Sequence, residues 1–135
     1  YQSRKGRELE SNPHLSLNFY WKELQRQVRI AGSVSKTSAQ DSEEYFASRP
    51  LESQLGAWAS HQSEILDSRA MLEARFEDLK QKYQDLPVPK PPHWGGYAVD
   101  PVYIEFWQGR ANRLHDRICY QKQAAGQWLR QRLNP

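Results

Sequence analysis

Two stretches decide the fold: HLSLNFYW at residues 14–21 and RQVRIAGSVSK at residues 26–36. In the first, Leu15, Leu17 and Phe19 fall on one face and Ser16, Asn18 and Tyr20 on the other, which is the period of a strand. The second alternates through Val28 and Ile30, and Gly32 is expected to mark a bulge. Only KELQ (22–25) separates them, a length suited to an antiparallel hairpin. The flanking segments change period. Residues 4–12 (RKGRELESN) read as a short polar helix stopped at Asn12-Pro13. Residues 39–48 read as a helix capped by Ser38 and ended by Arg49-Pro50, because a residue preceding proline is pushed out of the helical region. A short helix is expected over 51–60. The longest helix is expected over 68–84, with Leu72, Phe76, Leu79 and Tyr83 forming one apolar stripe and Ser68 as its cap. LPVPKPP (86–92) is a stiff connector. Beyond it, 97–107, 116–122 and 127–133 read as strands, the last two joined across Gly126. Strands, then helices, then strands imply an α+β fold with a mainly antiparallel sheet and flanking helices.

Composition narrows the function classes. The 135 residues carry 19 Lys and Arg against 16 Asp and Glu, a net charge of +3 that is mixed along the chain and argues against a nucleic-acid arm. Aromatic residues make up 12% of the chain, enough large rings to build a core. No apolar run reaches the ~20 residues of a membrane span. The single cysteine, Cys119, leaves no disulfide framework and no multi-cysteine metal site, and fits a reducing, cytoplasmic location. Within its expected strand Cys119 reads as a small buried hydrophobe. His14, His61, His93 and His115 are scattered, so no metal site is expected. The chain opens on Tyr1 and its only methionine is Met71, so it reads as a processed product or a fragment.

No glycine-rich nucleotide loop or nucleophile elbow is present. Three clusters can carry chemistry instead. Ser3, Arg4 and Lys5 sit where a helix begins, a setting for phosphate or simply a solvated charge pair. Tyr45 and Arg49 lie one helical turn apart, with Ser53 just past Pro50. These residues, with free N–H groups, can hold a phosphate dianion, or amount to a surface contact plus a capping serine. In EFWQGRANRLHDR (105–117), Arg113, His115 and Arg117 alternate and would share one face if extended. They need an anion, or Glu105 and Asp116 in an ion-pair lattice, to offset their repulsion. Trp107 offers a flat wall to a planar ligand.

The motifs SRKGRELESNP (3–13), FYW..L.RQVRI.G (19–32), YF.SRP..SQ.GAW.S.QS (45–63), VP.P..WGGY (88–97) and EFWQG...RLHDR (105–117), with RLNP at the end, are long, specific and span nearly the whole chain. Together they resemble the pyridoxamine 5′-phosphate oxidase family, with Asn134 a minor departure from a usual RLAP ending. The resemblance implies an FMN-binding split β-barrel, incomplete here at the N-terminus. Residues 1–86 would be the C-terminal part of the barrel core with its helices, 87–93 the connector and 94–135 a dimerisation region. It implies FMN-dependent oxidation of pyridoxine 5′-phosphate or pyridoxamine 5′-phosphate to pyridoxal 5′-phosphate, with O2 as acceptor and H2O2 released. The enzyme would be a homodimer with FMN at the subunit interface, with neither a nucleic-acid nor a membrane partner. By motif, Arg4, Lys5, Gln27, Gln62, Ser63, Trp107 and Arg117 resemble FMN contacts. Tyr45, Arg49 and Ser53 resemble the cradle of the substrate phosphate, and Arg113 and His115 resemble the catalytic pair that holds the substrate ring. Family members carry an upstream portion with further phosphate contacts, so weak or absent turnover is expected from these 135 residues alone. The competing expectations are a related flavin oxidase of another ring, a non-catalytic FMN or pyridoxal-phosphate binding module, and a plain interaction domain.

Overall fold

The computed structural model describes residues 1–135, and its elements follow the expected order. They are α1 (Arg4–Ser11), β1 (His14–Trp21), β2 (Arg26–Lys36), α2 (Ala39–Ser48), α3 (Leu51–Ala59), α4 (Arg69–Lys82), β3 (Tyr97–Gln108), a 3₁₀ turn (Ala111–Arg113), β4 (Asp116–Lys122) and β5 (Trp128–Leu133). The chain divides into two compact units that interleave in sequence: Tyr1–Asn12 with Lys36–Ala98, and Pro13–Ser35 with Val99–Pro135.

The first unit is helical. Serine caps open three of its helices: Ser3, Ser38 and Ser68 each accept a hydrogen bond from the backbone N–H three residues on. Each cap satisfies a donor the helix itself leaves free, typically worth about 1 kcal/mol. α2 stops where Arg49 turns extended before Pro50 (φ −76°, ψ 150°), and α3 restarts at once. This break brings Phe46 and Leu55, each 1% exposed, against Val88. Trp58, Phe76, Leu79, Tyr83 and Trp94 pack around that centre. The connector contributes to it, since Val88 and Pro91 are buried.

The second unit carries a five-stranded sheet in the order β1-β2-β3-β4-β5, open at both edges. β1 and β2 form the expected antiparallel hairpin, and β3–β4 and β4–β5 pair antiparallel as well. Gly32 does not mark a bulge: the β1–β2 register runs one to one through Leu15 and Gly32. The glycine answers a close approach instead, for a Cβ at position 32 would overlap the backbone carbonyl of Asp100. Gly126 takes φ +82° in the turn between β4 and β5, the left-handed conformation glycine adopts without a Cβ penalty. Cys119 is buried at 2% exposure in β4, the small-hydrophobe role read from its place in the sequence. No helix is long and apolar enough to cross a membrane.

Candidate functional site

In the first unit, the break between α2 and α3 opens a cavity of about 410 Å³ lined by Ser3, Arg49, Ser53, Gln62, His93 and Trp94, among others. Arg49 is the chemical centre of this cavity. Its guanidinium lies over the Trp94 ring at 5.1 Å, and its Nη1 is buried without a hydrogen-bond partner. A buried, charged donor left unpaired is costly, and an anion entering the cavity would repay that cost. Ser53 lines the same space. Its N–H is already taken by Pro50 O at 2.9 Å, so it offers its hydroxyl rather than the free N–H expected from the helix start. Tyr45 is 66% exposed and is absent from the lining. It stacks on Trp94 with centroids 5.9 Å apart, so Tyr45 and Arg49 rest on one indole.

The Ser3–Arg4–Lys5 cluster is differently employed. Ser3 Oγ accepts from Gly6 N at 3.1 Å as the cap of α1. Arg4 is exposed and pairs with Glu8 one turn on at 2.8 Å, which raises its pKa. Neither Arg4 nor Lys5 lines the cavity, whereas Gln62 does. Ser63, at φ 69°, lines a smaller adjoining hollow with His61, Leu66 and Arg75.

In the second unit, Gln27 and Trp107 line a largely apolar depression of about 330 Å³ with Trp21, Phe106 and Ile118. A fused aromatic ring with a polar edge matches such a lining: the indole gives a flat face and the Gln27 amide a donor and an acceptor. Arg117 stands opposite Trp107 in the β3–β4 register. Its Nε and Nη2 bond to Glu105 at 2.9 and 3.1 Å, and its Nη1 reaches Asn134 O at 2.9 Å. Glu105 is 2% exposed and also receives Arg29 Nη2 and the Tyr103 hydroxyl. The Arg117 hydrogen bonds, helped by Arg29 and Tyr103, outweigh burial and lower its carboxyl to about 2. Burial and the Glu105 bond push Tyr103 up to about 12.

His115 packs its ring on Trp107 at 4.8 Å between centroids. Arg113 departs from the expected alternation. Ala111–Arg113 form a 3₁₀ turn, with Asn112 and Arg113 left-handed at φ 58° and 62°. Arg113 therefore does not share an extended face with His115 and Arg117, and it lies exposed. The repulsion anticipated among these cations is relieved by the acids: Glu105 takes Arg117, and Asp116 takes Arg110 and Arg132. The sequence reading missed Arg29 as a second cation on Glu105, and Trp94 as the surface under Tyr45 and Arg49. The two-residue spacing from Gln27 puts Arg29 on the same face of its strand, the one signal available for it.

A family model described as pyridoxamine 5′-phosphate oxidase matches residues 1–83. The chain belongs to the pyridoxamine 5′-phosphate oxidase family. A second model, described as the pyridoxine 5′-phosphate oxidase C-terminal dimerisation region, matches residues 94–135 of this family member. The pyridoxine/pyridoxamine 5′-phosphate oxidase of Microcystis aeruginosa is 56% identical over 135 residues, covering all of this chain and 63% of the relative. That of Burkholderia multivorans is 58% identical over 137 residues, covering all of this chain and 64% of the relative. The chain thus spans less than two thirds of the length of these curated relatives. Among solved structures, PhzG from Burkholderia lata 383, in complex with tetrahydrophenazine-1-carboxylic acid, matches with a TM-score of 0.91 at 31% identity, covering 99% of this chain and 65% of that one. A pyridoxamine 5′-phosphate oxidase-related, FMN binding protein from Nostoc punctiforme matches with a TM-score of 0.68 at 18% identity, covering 99% and 69%, a likeness of fold. The fold class is the expected α+β, FMN-binding split-barrel type, with its sheet not closed.

Proposed function

We propose that this chain carries the ligand-binding part of an FMN-dependent oxidase that converts pyridoxine 5′-phosphate or pyridoxamine 5′-phosphate to pyridoxal 5′-phosphate, with O2 as acceptor and H2O2 released. The observation that carries the reading is the buried, unpartnered Nη1 of Arg49 in a cavity shared with Ser53. A phosphate dianion supplies the acceptor oxygens that this guanidinium lacks. Arg49 and Ser53 would grip the phosphate, with Tyr45 at the rim, while Arg113 and His115 would hold the substrate ring.

Gln27, Trp107 and Arg117 fit FMN by their chemistry: a flat indole, an amide and a guanidinium fixed by Glu105. Gln62 and Ser63 would add polar contacts, and Arg4 and Lys5 positive charge for its phosphate. Hydride acceptance and reoxidation by O2 are the chemistry FMN supplies when bound. The protein's own part is binding, orientation and electrostatics. Residues 94–135 would act as a dimerisation region in a homodimer, after a connector at 87–93, with residues 1–86 contributing to the barrel core.

The likeness to PhzG favours a second reading, an oxidase of a different ring. The ligand named for that structure has a carboxylate and no phosphate, whereas the reading proposed here places a phosphate dianion on Arg49. Titration with pyridoxal 5′-phosphate followed by absorbance separates the readings. Saturable binding lost in Arg49→Met supports the phosphate reading, and binding unchanged by that substitution refutes it. Peroxide release on adding pyridoxamine 5′-phosphate to a form extended to the relatives' full length tests the oxidase itself, and its absence would leave a binding module.

A further inference from the structure

The turn before β4 holds its histidine in an unusual way. The backbone N–H of Arg110 donates to His115 Nδ1 at 3.2 Å. A backbone N–H only donates, so Nδ1 must present its lone pair, and in the neutral ring the proton then sits on Nε2. The ring has little freedom to turn over, because its face lies tilted by 46° against Trp107 at 4.8 Å. The side chain of Arg110 turns back as well, bonding through Nε to Asp116 Oδ2 at 2.9 Å. The other oxygen of Asp116 takes Arg132 Nη1 at 2.6 Å. Arg110 and Asp116 therefore span the base of the turn whose interior holds Asn112 and Arg113 in left-handed conformations. Two successive non-glycine residues in that region persist only where the surroundings impose them.

We propose that Arg110 and Asp116 form a brace that locks His115 as its Nε2–H tautomer, so that His115 meets its ligand as a hydrogen-bond donor and not as a base. Arg110 and Asp116 are positioning residues; they act through His115. The ligand atom facing His115 then presents an acceptor lone pair. The donor role rests on the function proposed above, whereas the tautomer does not.

The two are tested separately by long-range ¹H–¹⁵N correlation on the chain with ¹⁵N-labelled histidine, the His115 signals being assigned by their loss in His115→Gln. The expected spectrum has Nδ1 in the unprotonated range and Nε2 in the protonated range, with a preference of about tenfold, the value of one ordinary hydrogen bond. In Asp116→Asn the preference falls to within about threefold, and Arg110→Gln does the same if the first variant is poorly folded. A protonated Nδ1 in the unsubstituted chain overturns the tautomer, and both variants behaving like the unsubstituted chain overturns the brace. On adding pyridoxal 5′-phosphate, movement of Nε2 with Nδ1 still unprotonated supports the donor role. Saturable binding of pyridoxal 5′-phosphate that leaves both His115 signals unmoved overturns that role and leaves the tautomer standing.

Discussion

Replacing Glu105 by glutamine keeps the volume of the side chain and removes its charge, so the substitution isolates what the buried carboxylate contributes. The carboxyl lies at about 2 against an ordinary value of 4.5, lowered chiefly by the hydrogen bonds from Arg117. Each tenfold change in proton affinity corresponds to about 1.4 kcal/mol, which makes the charged form about 3 kcal/mol more favourable in the fold than in the unfolded chain. The side chain of Arg29 is 49% exposed and that of Arg117 27%. Water screens both, and about 2 kcal/mol is the net contribution we expect. The folded value lies below the unfolded one. The contribution is therefore complete above about pH 4.5 and drains away as the pH falls towards 2. Glu105→Gln should accordingly cost about 2 kcal/mol at pH 7, a fall in Tm of about 6–8 °C for a chain of this size. At pH 3.5 the gap should narrow by about 1 kcal/mol, because the unsubstituted protein has begun to lose the same contribution. Urea unfolding of both proteins at the two pH values measures this directly. A gap of equal size at both would mean that packing rather than charge is at stake. No gap at pH 7 would mean that the arginines lose nothing when the carboxylate is removed. Either result refutes the reasoning.

Other substitutions test separate parts of the structure. Arg49→Lys keeps the charge but loses the planar fork, and should weaken pyridoxal 5′-phosphate binding at least tenfold in an absorbance titration, whereas a conserved affinity would make Arg49 a point charge only. Gly32→Ala puts a methyl onto the Asp100 carbonyl and should destabilise by about 1–3 kcal/mol in urea unfolding, more than an alanine at half-buried Gly56, where nothing lies within 4 Å of the added carbon. Phe46→Ala empties the centre of the helical unit and should cost about 3–5 kcal/mol by the same measure. Ser38→Ala removes the cap of α2 and should cost about 1 kcal/mol, with faster hydrogen exchange confined to the first turn of that helix.

What the sequence revealed and what it hid have separate physical causes. The β1–β2 hairpin was legible because a strand with one face less exposed than the other alternates, and Leu15 and Leu17 are the less exposed positions of β1. The helix break at Arg49-Pro50 was legible because proline restricts its neighbour whatever the tertiary setting. Since Arg49, half-buried with its Nη1 out of solvent, ends up at that break, the local rule also pointed to the cavity. The turn at 111–113 was not legible, because nothing in Asn112 or Arg113 demands a left-handed backbone. The contacts that accompany it, the Arg110–Asp116 bond across the base of the turn and the Arg110 N–H on His115, join residues five and six apart and leave no local pattern. The Arg29–Glu105 pair was hidden for a different reason. Its members stand 76 residues apart on separate strands, and only the β2–β3 neighbourhood brings them together. Glu105 itself was legible only as a charge available to balance arginines. That it sits almost wholly buried, with one carboxylate serving two guanidiniums and a phenol, is a property of the sheet. In such a sheet the residue that fixes Arg117 is as much part of the candidate flavin site as Arg117, although Glu105 is not itself among the residues expected to touch the flavin.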